Sequence, residues 1–254
     1  YKQTEIGTKE IKYFSDAGGY DLFKKYCPHS NFIPKDLYND WLEGIHCYGV
    51  SEYDLPTSLN EAKDLYTSLI SLGIRIEGQQ WLPANDFKNT LGFIQPISYV
   101  LSRFAPEYFF PYLFLCRIFE LNKIADFFNI DLPNIPKRTD YKGRCMYYWE
   151  LCEVFYQFRR ENGLTPEELY AFLYDFAPCN ITNEKIDIPK PSQAWFIGGR
   201  LYAEDKSLVS KFWQSSPDTK KGDILVHYET SPVSSITCIE TSLTNGAIDP
   251  LFRY

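Results

Sequence analysis

The chain has 254 residues, 44% of them hydrophobic, with 26 Lys and Arg against 33 Asp and Glu for a formal net charge of -7. That is enough apolar material for one large core or two smaller ones, which excludes a disordered chain. The acidic balance argues against a protein that coats nucleic acid through charge alone, and the longest apolar run, 108–116, contains Pro111 and is too short to span a bilayer.

Residues 1–56 carry Gly18, Gly19, Pro28, Pro34 and Pro56 between short apolar clusters and read as short helices and loops. Ser58 with Glu61 three residues on makes a capping box that opens an amphipathic helix over 58–73. Leu59, Ala62, Leu65, Leu69 and Leu72 form its apolar face, and Gly73 stops it. IRIEGQQWL, 74–82, reads as a short strand or hairpin. From Pro96 to Ile130 the pattern is helical, with breaks at Pro106, Pro111 and Asn122. LPNIPKRTD, 132–140, is an extended, exposed connector. The longest helix follows over 142–162 and closes at Gly163; the next is capped by Thr165, has Pro166 at its first position, completes a capping box with Glu168, and ends at Pro178.

After residue 180 the character changes. ITNEKIDIPKPSQ reads as a linker, AWFIGG (194–199) as a strand with a glycine exit, and SLVSKFW (207–213) as a helix or helical turn. Residues 223–229 and 233–240 read as the strands of a hairpin. The fold class is α+β: a mainly helical N-terminal domain, 1–186, then a small β domain, 187–254.

Seven scattered cysteines without a CxxC suit a reducing cytosol, and no leader precedes them, so a cytoplasmic protein is expected. Cys27, His29, His46 and Cys47 are soft ligands, but the adjacent His46 and Cys47 point to opposite sides of an extended chain. Buried thiols and surface imidazoles, not zinc, are expected. An acid followed by Glu-x-Lys, a nuclease pattern, can be drawn through Asp54, Glu61 and Lys63, but Glu61 and Lys63 fall in the capped helix. Glu10 and Lys12 have a better strand context and no upstream acid. P-loop, GxGxxG, GxSxG and HExxH motifs are missing, so no catalytic residue, metal or cofactor is expected. Lys137, Arg138, Lys142 and Arg144 cluster where a loop enters the longest helix, as a phosphate-binding surface or a solvated face. The stripe Tyr147, Tyr148, Phe155, Tyr156 and Phe158 is core by its helical spacing.

In the strand beginning at Asp223, Leu225, His227 and Glu229 share one face, and Ile224, Val226 and Tyr228 the other. AWFIGG, KFWQSS, KKGDILVHYET, SSITCIE and a final Asp-Pro-aromatic sequence occur together here, and together they resemble the PUA-like barrels and, within them, the EVE-type readers of modified bases. The resemblance implies a small barrel that holds a nucleobase in an aromatic pocket, stacking being sequence-tolerant and base extrusion costing only a few kcal/mol. Trp195 and Trp213 would be pocket aromatics and Tyr228 a further wall, with Ser215, Ser216 and Gly198 at the base edge; Lys220 and Lys221 join the phosphate-contacting set. It implies more strands than the chain supplies, so the β domain is expected to be incomplete at 254. The function so implied is reading a modified base, in DNA rather than RNA, within a prokaryotic restriction or antiviral defence protein whose effector lies outside this chain. The alternatives are a metal-dependent nuclease subunit and a helical interaction scaffold with no base pocket.

Overall fold

The computed structural model describes residues 1–16, 21, 25, 54–76, 79–115, 117–181, 187–199 and 216–252, and the fold is α+β. The chain divides into two compact units, 1–182 with 249–254, and 183–248. The last residues, expected in the β domain, therefore belong to the helical unit. Cys27, His29, His46, Cys47, Trp213, Ser215 and the segment 207–213 lie outside the described residues.

The helical unit opens with α1 (Glu5–Asp16), so Glu10 and Lys12 are helical and the strand context read for them is corrected. In α2 (Leu59–Leu72), Ser58 caps by accepting the Glu61 N–H at 3.2 Å, and Gly73 exits at a φ of +80°. A Cβ there would also stand 2.2 Å from the Leu82 carbonyl oxygen, so both conformation and space require glycine. The buried face is Ala62, Leu65, Tyr66, Leu69 and Ile70, while Leu72 is exposed. β1 (Ile74–Ile76) and β2 (Gln79–Leu82) pair antiparallel, as a hairpin. Helical structure then resumes earlier than Pro96: α3 (Phe87–Thr90) and a tight turn (Leu91–Phe93) run directly into α4 (Ile94–Phe104). Pro96 is tolerated in the first turn of α4 because amide hydrogens there have no intrahelical acceptor.

Beyond α4 the helical reading fails. Phe109, Phe110, Tyr112, Leu113 and Phe114 form neither helix nor strand and are buried. A run apolar at every position offers no single face for a helix to bury, and Pro111 removes a donor. Its backbone groups still need partners in a dry core. Tyr170 donates to the Phe109 carbonyl at 2.9 Å and Tyr148 to that of Phe110 at 2.7 Å. The Tyr174 hydroxyl bonds the Pro111 carbonyl and accepts the Leu113 N–H, and Ser98 Oγ accepts the Tyr112 N–H at 2.8 Å.

The donors come from helices laid around this segment. α5 (Ile118–Phe128) passes unbroken through Asn122 and ends on Asn129 in the left-handed region. α6 (Tyr141–Glu161), capped by Asp140, supplies Tyr148 and buries Tyr147, Trp149 and Phe155; of the expected stripe, Phe158 is half-buried against the core and Tyr156 is half-buried and stacked on Tyr108. α7 (Pro166–Ala171) carries the predicted Thr165–Glu168 capping box. It continues through a wider π-helical turn, Phe172–Phe176, into α8 (Ala177–Ile181), so Pro178 does not end the helix. A proline ring clashes with the carbonyl four residues back, and the widened turn just upstream gives it room.

The returning segment 249–252 completes this core. Leu251 is buried beside Leu91, Ile94, Tyr112 and Leu115. Arg144, only 2% exposed, grips the segment through the Pro250 carbonyl (Nε, 2.9 Å) and the Phe252 carbonyl, and also bonds the Arg138 carbonyl at 2.9 Å.

The β unit holds β3 (Ala194–Gly199), β4 (Ile224–Glu229) and β5 (Ser235–Thr241) in the order β3-β4-β5. β3 and β4 are parallel, and β4 and β5 form the predicted antiparallel hairpin. The sheet is mixed and open at the described strands. Among the described residues no helix is long and apolar enough to cross a membrane.

Removing a donor from the buried backbone has a defined cost. Tyr148→Phe is expected to lower the stability of the helical unit by about 1–3 kcal/mol, the penalty for an orphaned buried carbonyl, and Leu251→Ala by about 2–5 kcal/mol. Urea denaturation followed by far-UV circular dichroism measures both.

Candidate functional site

Asp223 organises the β unit. Its carboxylate is fully buried and accepts five hydrogen bonds: from Ser192 N–H (3.3 Å) and Oγ (2.9 Å), Gln193 Nε2 (2.8 Å), Trp195 Nε1 (3.1 Å) and Lys220 N–H (2.8 Å). Burial by itself pushes the Asp223 carboxyl up. The hydrogen bonds from Lys220, Gln193, Trp195 and Ser192 outweigh it and hold the group well below the usual carboxylate range. Gly222 makes the approach possible: its φ is +94°, and a Cβ there would lie 2.4 Å from the Pro189 carbonyl oxygen. The Gly222-Asp223 pair is thus a clamp between the turn into β4 and the strand carrying Trp195.

Strand register then decides which expected residues meet. Trp195 pairs with Leu225, and Ile197 with His227, so these four share one face with Cys238 and Glu240. That face is largely closed, with Ile197 9% and His227 4% exposed. Tyr228 pairs with Gly198 and Val226 with Phe196, on the opposite face. Trp195 and Tyr228 therefore do not wall one pocket. The parallel pairing of β3 with β4 puts them on opposite sides, and the indole of Trp195 is already committed to Asp223.

The second face is open. Phe196 is 71% exposed, and Ile239 and Ile236 on β5 are 64% and 53% exposed. A one-residue slip in the β4–β5 pairing between His227 and Tyr228 keeps Ile236 opposite Tyr228, so the apolar row continues across the bulge. Among the described residues nothing stands within 4 Å of where a Gly198 side chain would begin, which leaves space beside the half-buried Tyr228. Phe196 was missed in the sequence because alternation within AWFIGG does not say which of its two aromatics faces the core.

The other expected contacts separate. Ser216 is part of a turn: its hydroxyl accepts the Asp218 N–H at 3.2 Å and its carbonyl the Thr219 N–H. Lys220 is exposed and Lys221 half-buried at the entry to β4. Lys137, Arg138 and Lys142 are exposed in the helical unit, but Arg144 is buried and spent on three carbonyls, so it does not present charge to a phosphate. The nuclease pattern dissolves likewise. Glu61 accepts from the Thr57 N–H and hydroxyl at 2.7 and 2.8 Å, bonds that hold its carboxyl low, as a helix-terminus residue does. Among the described residues no three His, Cys, Asp or Glu side chains are grouped to hold a metal ion.

Compared with models of protein families, with curated proteins and with solved structures, the chain matches none.

The Asp223 clamp carries a pH signature. Its folded pKa lies below the unfolded one, so the unfolded chain binds more protons in acid. Its contribution is complete above the ordinary Asp value of about 3.9 and is lost as pH falls below it. Hydrogen exchange at 192–195 and 220–224, corrected for intrinsic rates, is expected to stay slow down to about pH 5 and to quicken below about pH 4. Asp223→Asn, which turns an amide NH2 toward groups that themselves donate, is expected to remove that protection at neutral pH.

Proposed function

We propose that the β unit is a nucleic-acid recognition module that takes a nucleobase, a modified base in DNA by preference, against its open sheet face. The observation that carries this reading is the row of Phe196 and Tyr228 on one face, with Phe196 71% exposed and open space beside Tyr228 at Gly198. Aromatic rings standing on an open sheet are an arrangement on which bases stack, at about 1–3 kcal/mol for each base. The resemblance to PUA-like base readers belongs to the same proposal, the three strands forming one wall of such a barrel. Base contact therefore moves from Trp195 to Phe196, while Tyr228 and Gly198 keep the places expected for them. Attachment to a restriction or defence effector is the part of the proposal that the resemblance alone supports.

Charge sets how such binding must work. Residues 183–248 hold seven Lys and Arg against eight Asp and Glu, so stacking and base-edge contacts, not phosphate neutralisation, have to supply the affinity. With Lys220 and Lys221 as the contributing cations, the slope of log affinity against log salt for single strands is about -1.4. The aliphatic extension of the face through Ile236 and Ile239 favours the rival reading, an interaction scaffold whose partner is a protein.

Fluorescence anisotropy with oligonucleotides carrying cytosine or 5-methylcytosine, single-stranded and duplex, separates the two. The module predicts tighter binding to the modified strand, a shallow salt slope, and a loss of about 5- to 150-fold for Phe196→Ala or Tyr228→Ala, the range that 1–3 kcal/mol of stacking implies. No binding to any oligonucleotide, or equal affinity in both variants, rejects it and leaves the scaffold.

A further inference from the structure

The closed face of the sheet carries chemistry that base recognition does not use. Cys238 on β5 stands directly opposite His227 on β4, and Glu240, two residues along β5, faces the same side. His227 Nε2 lies 2.9 Å from Glu240 Oε2; the imidazole is buried, whereas the Glu240 side chain is one-third exposed, at 33%. Cys238 itself is partly exposed. A thiol attacks only as its thiolate, and a neighbouring imidazole that carries a proton stabilises that form. A carboxylate bonded to one ring nitrogen fixes the orientation of the imidazole. Glu229 is the other ionisable group on this face of β4, and the β3 residue opposite His227 is the uncharged Ile197.

The other described thiols are in contrary settings. Burial pushes Cys145 and Cys152 up to about 12. Cys179 is exposed but raised, by burial first and then by the charges of Asp175 and Glu10.

We propose that Cys238, His227 and Glu240 form a thiol–imidazole–carboxylate site that makes Cys238 the reactive thiol among the described cysteines, with a low-molecular-weight disulfide as its co-reactant. The Cys238 thiolate attacks one sulfur of the disulfide, a new sulfur–sulfur bond forms as the old one breaks, and the second half leaves as a thiolate that takes up a proton. Cys238 is oxidised to a mixed disulfide and the leaving half is reduced, so no further oxidant is required. Among the described strands β5 pairs with β4 alone, so the thiol sits on the edge strand and is partly exposed.

The experiment uses the full chain with iodoacetamide and, separately, oxidised glutathione, each adduct located by peptide mass mapping. At about pH 6.5, where an ordinary thiol is about 1% ionised, Cys238 in the folded chain is expected to alkylate at least about tenfold faster than in the urea-unfolded chain, and its peptide is expected to carry glutathione first. His227→Gln and Glu240→Gln are each expected to slow it at least about fivefold and to move the rise of its pH profile upward. Should His227→Gln not fold, Glu240→Gln, whose side chain is partly in solvent, still decides the matter. Folded Cys238 reacting no faster than unfolded, a pH profile unmoved in a folded variant, or glutathione appearing on Cys145, Cys152 or Cys179 before Cys238 overturns the proposal.

Discussion

A backbone buried without secondary structure must find hydrogen-bond partners among side chains, and this requirement shapes the helical unit. The segment from Phe109 to Phe114 runs through the core with no ladder or helix to pair it. Tyr148, Tyr170 and Tyr174 place hydroxyls on three successive carbonyls, and Ser98 meets the Tyr112 N–H. Tyrosine suits the task because it brings an apolar body and one polar tip to the same buried place. Burial raises the pKa of Tyr148 and Tyr170, which favours the neutral hydroxyl that donates. The positions of α6 and α7 follow, since each must hold its tyrosine over a particular carbonyl.

The β unit answers to a comparable constraint with the opposite sign. A buried carboxylate is costly unless its lone pairs are filled, and Asp223 has them filled by neutral donors drawn from the segment before β3 and the turn before β4. Those bonds, one of them from Trp195 on β3 itself, tie the two parallel strands to each other. They also fix the parity of the faces, placing Trp195 toward the closed side and Phe196 toward the open one. The face proposed for base stacking and the face that carries Cys238, His227 and Glu240 are opposite sides of a sheet set by one aspartate.

Local signals were legible where the determining contacts are local. Ser58, Gly73, Thr165 with Glu168, and the hairpin from Ile224 to Thr241 are all written within a few residues, and each element formed where its end signals stand. What could not be read depends on partners far along the chain. The run around Pro111 reads as helix because the tyrosines that pair its carbonyls without a helix arrive some sixty residues later. Tyr228 and Trp195 looked like two walls of one pocket because strand alternation is visible within a strand, whereas the register between β3 and β4 is not. Arg144 looked like a surface cation because nothing near it in sequence reveals that the carbonyls of Pro250 and Phe252 return to it.

That return sets the order in which the molecule can be completed. The helices through Ile181 are synthesised first, yet Leu251 and the carbonyls that engage Arg144 follow the whole of the β unit. They fill the place beside Leu91, Ile94 and Tyr112 and supply two of the carbonyls that Arg144 bonds. The core of the helical unit is therefore complete only when residues 249–252 have come back to it from beyond the β unit.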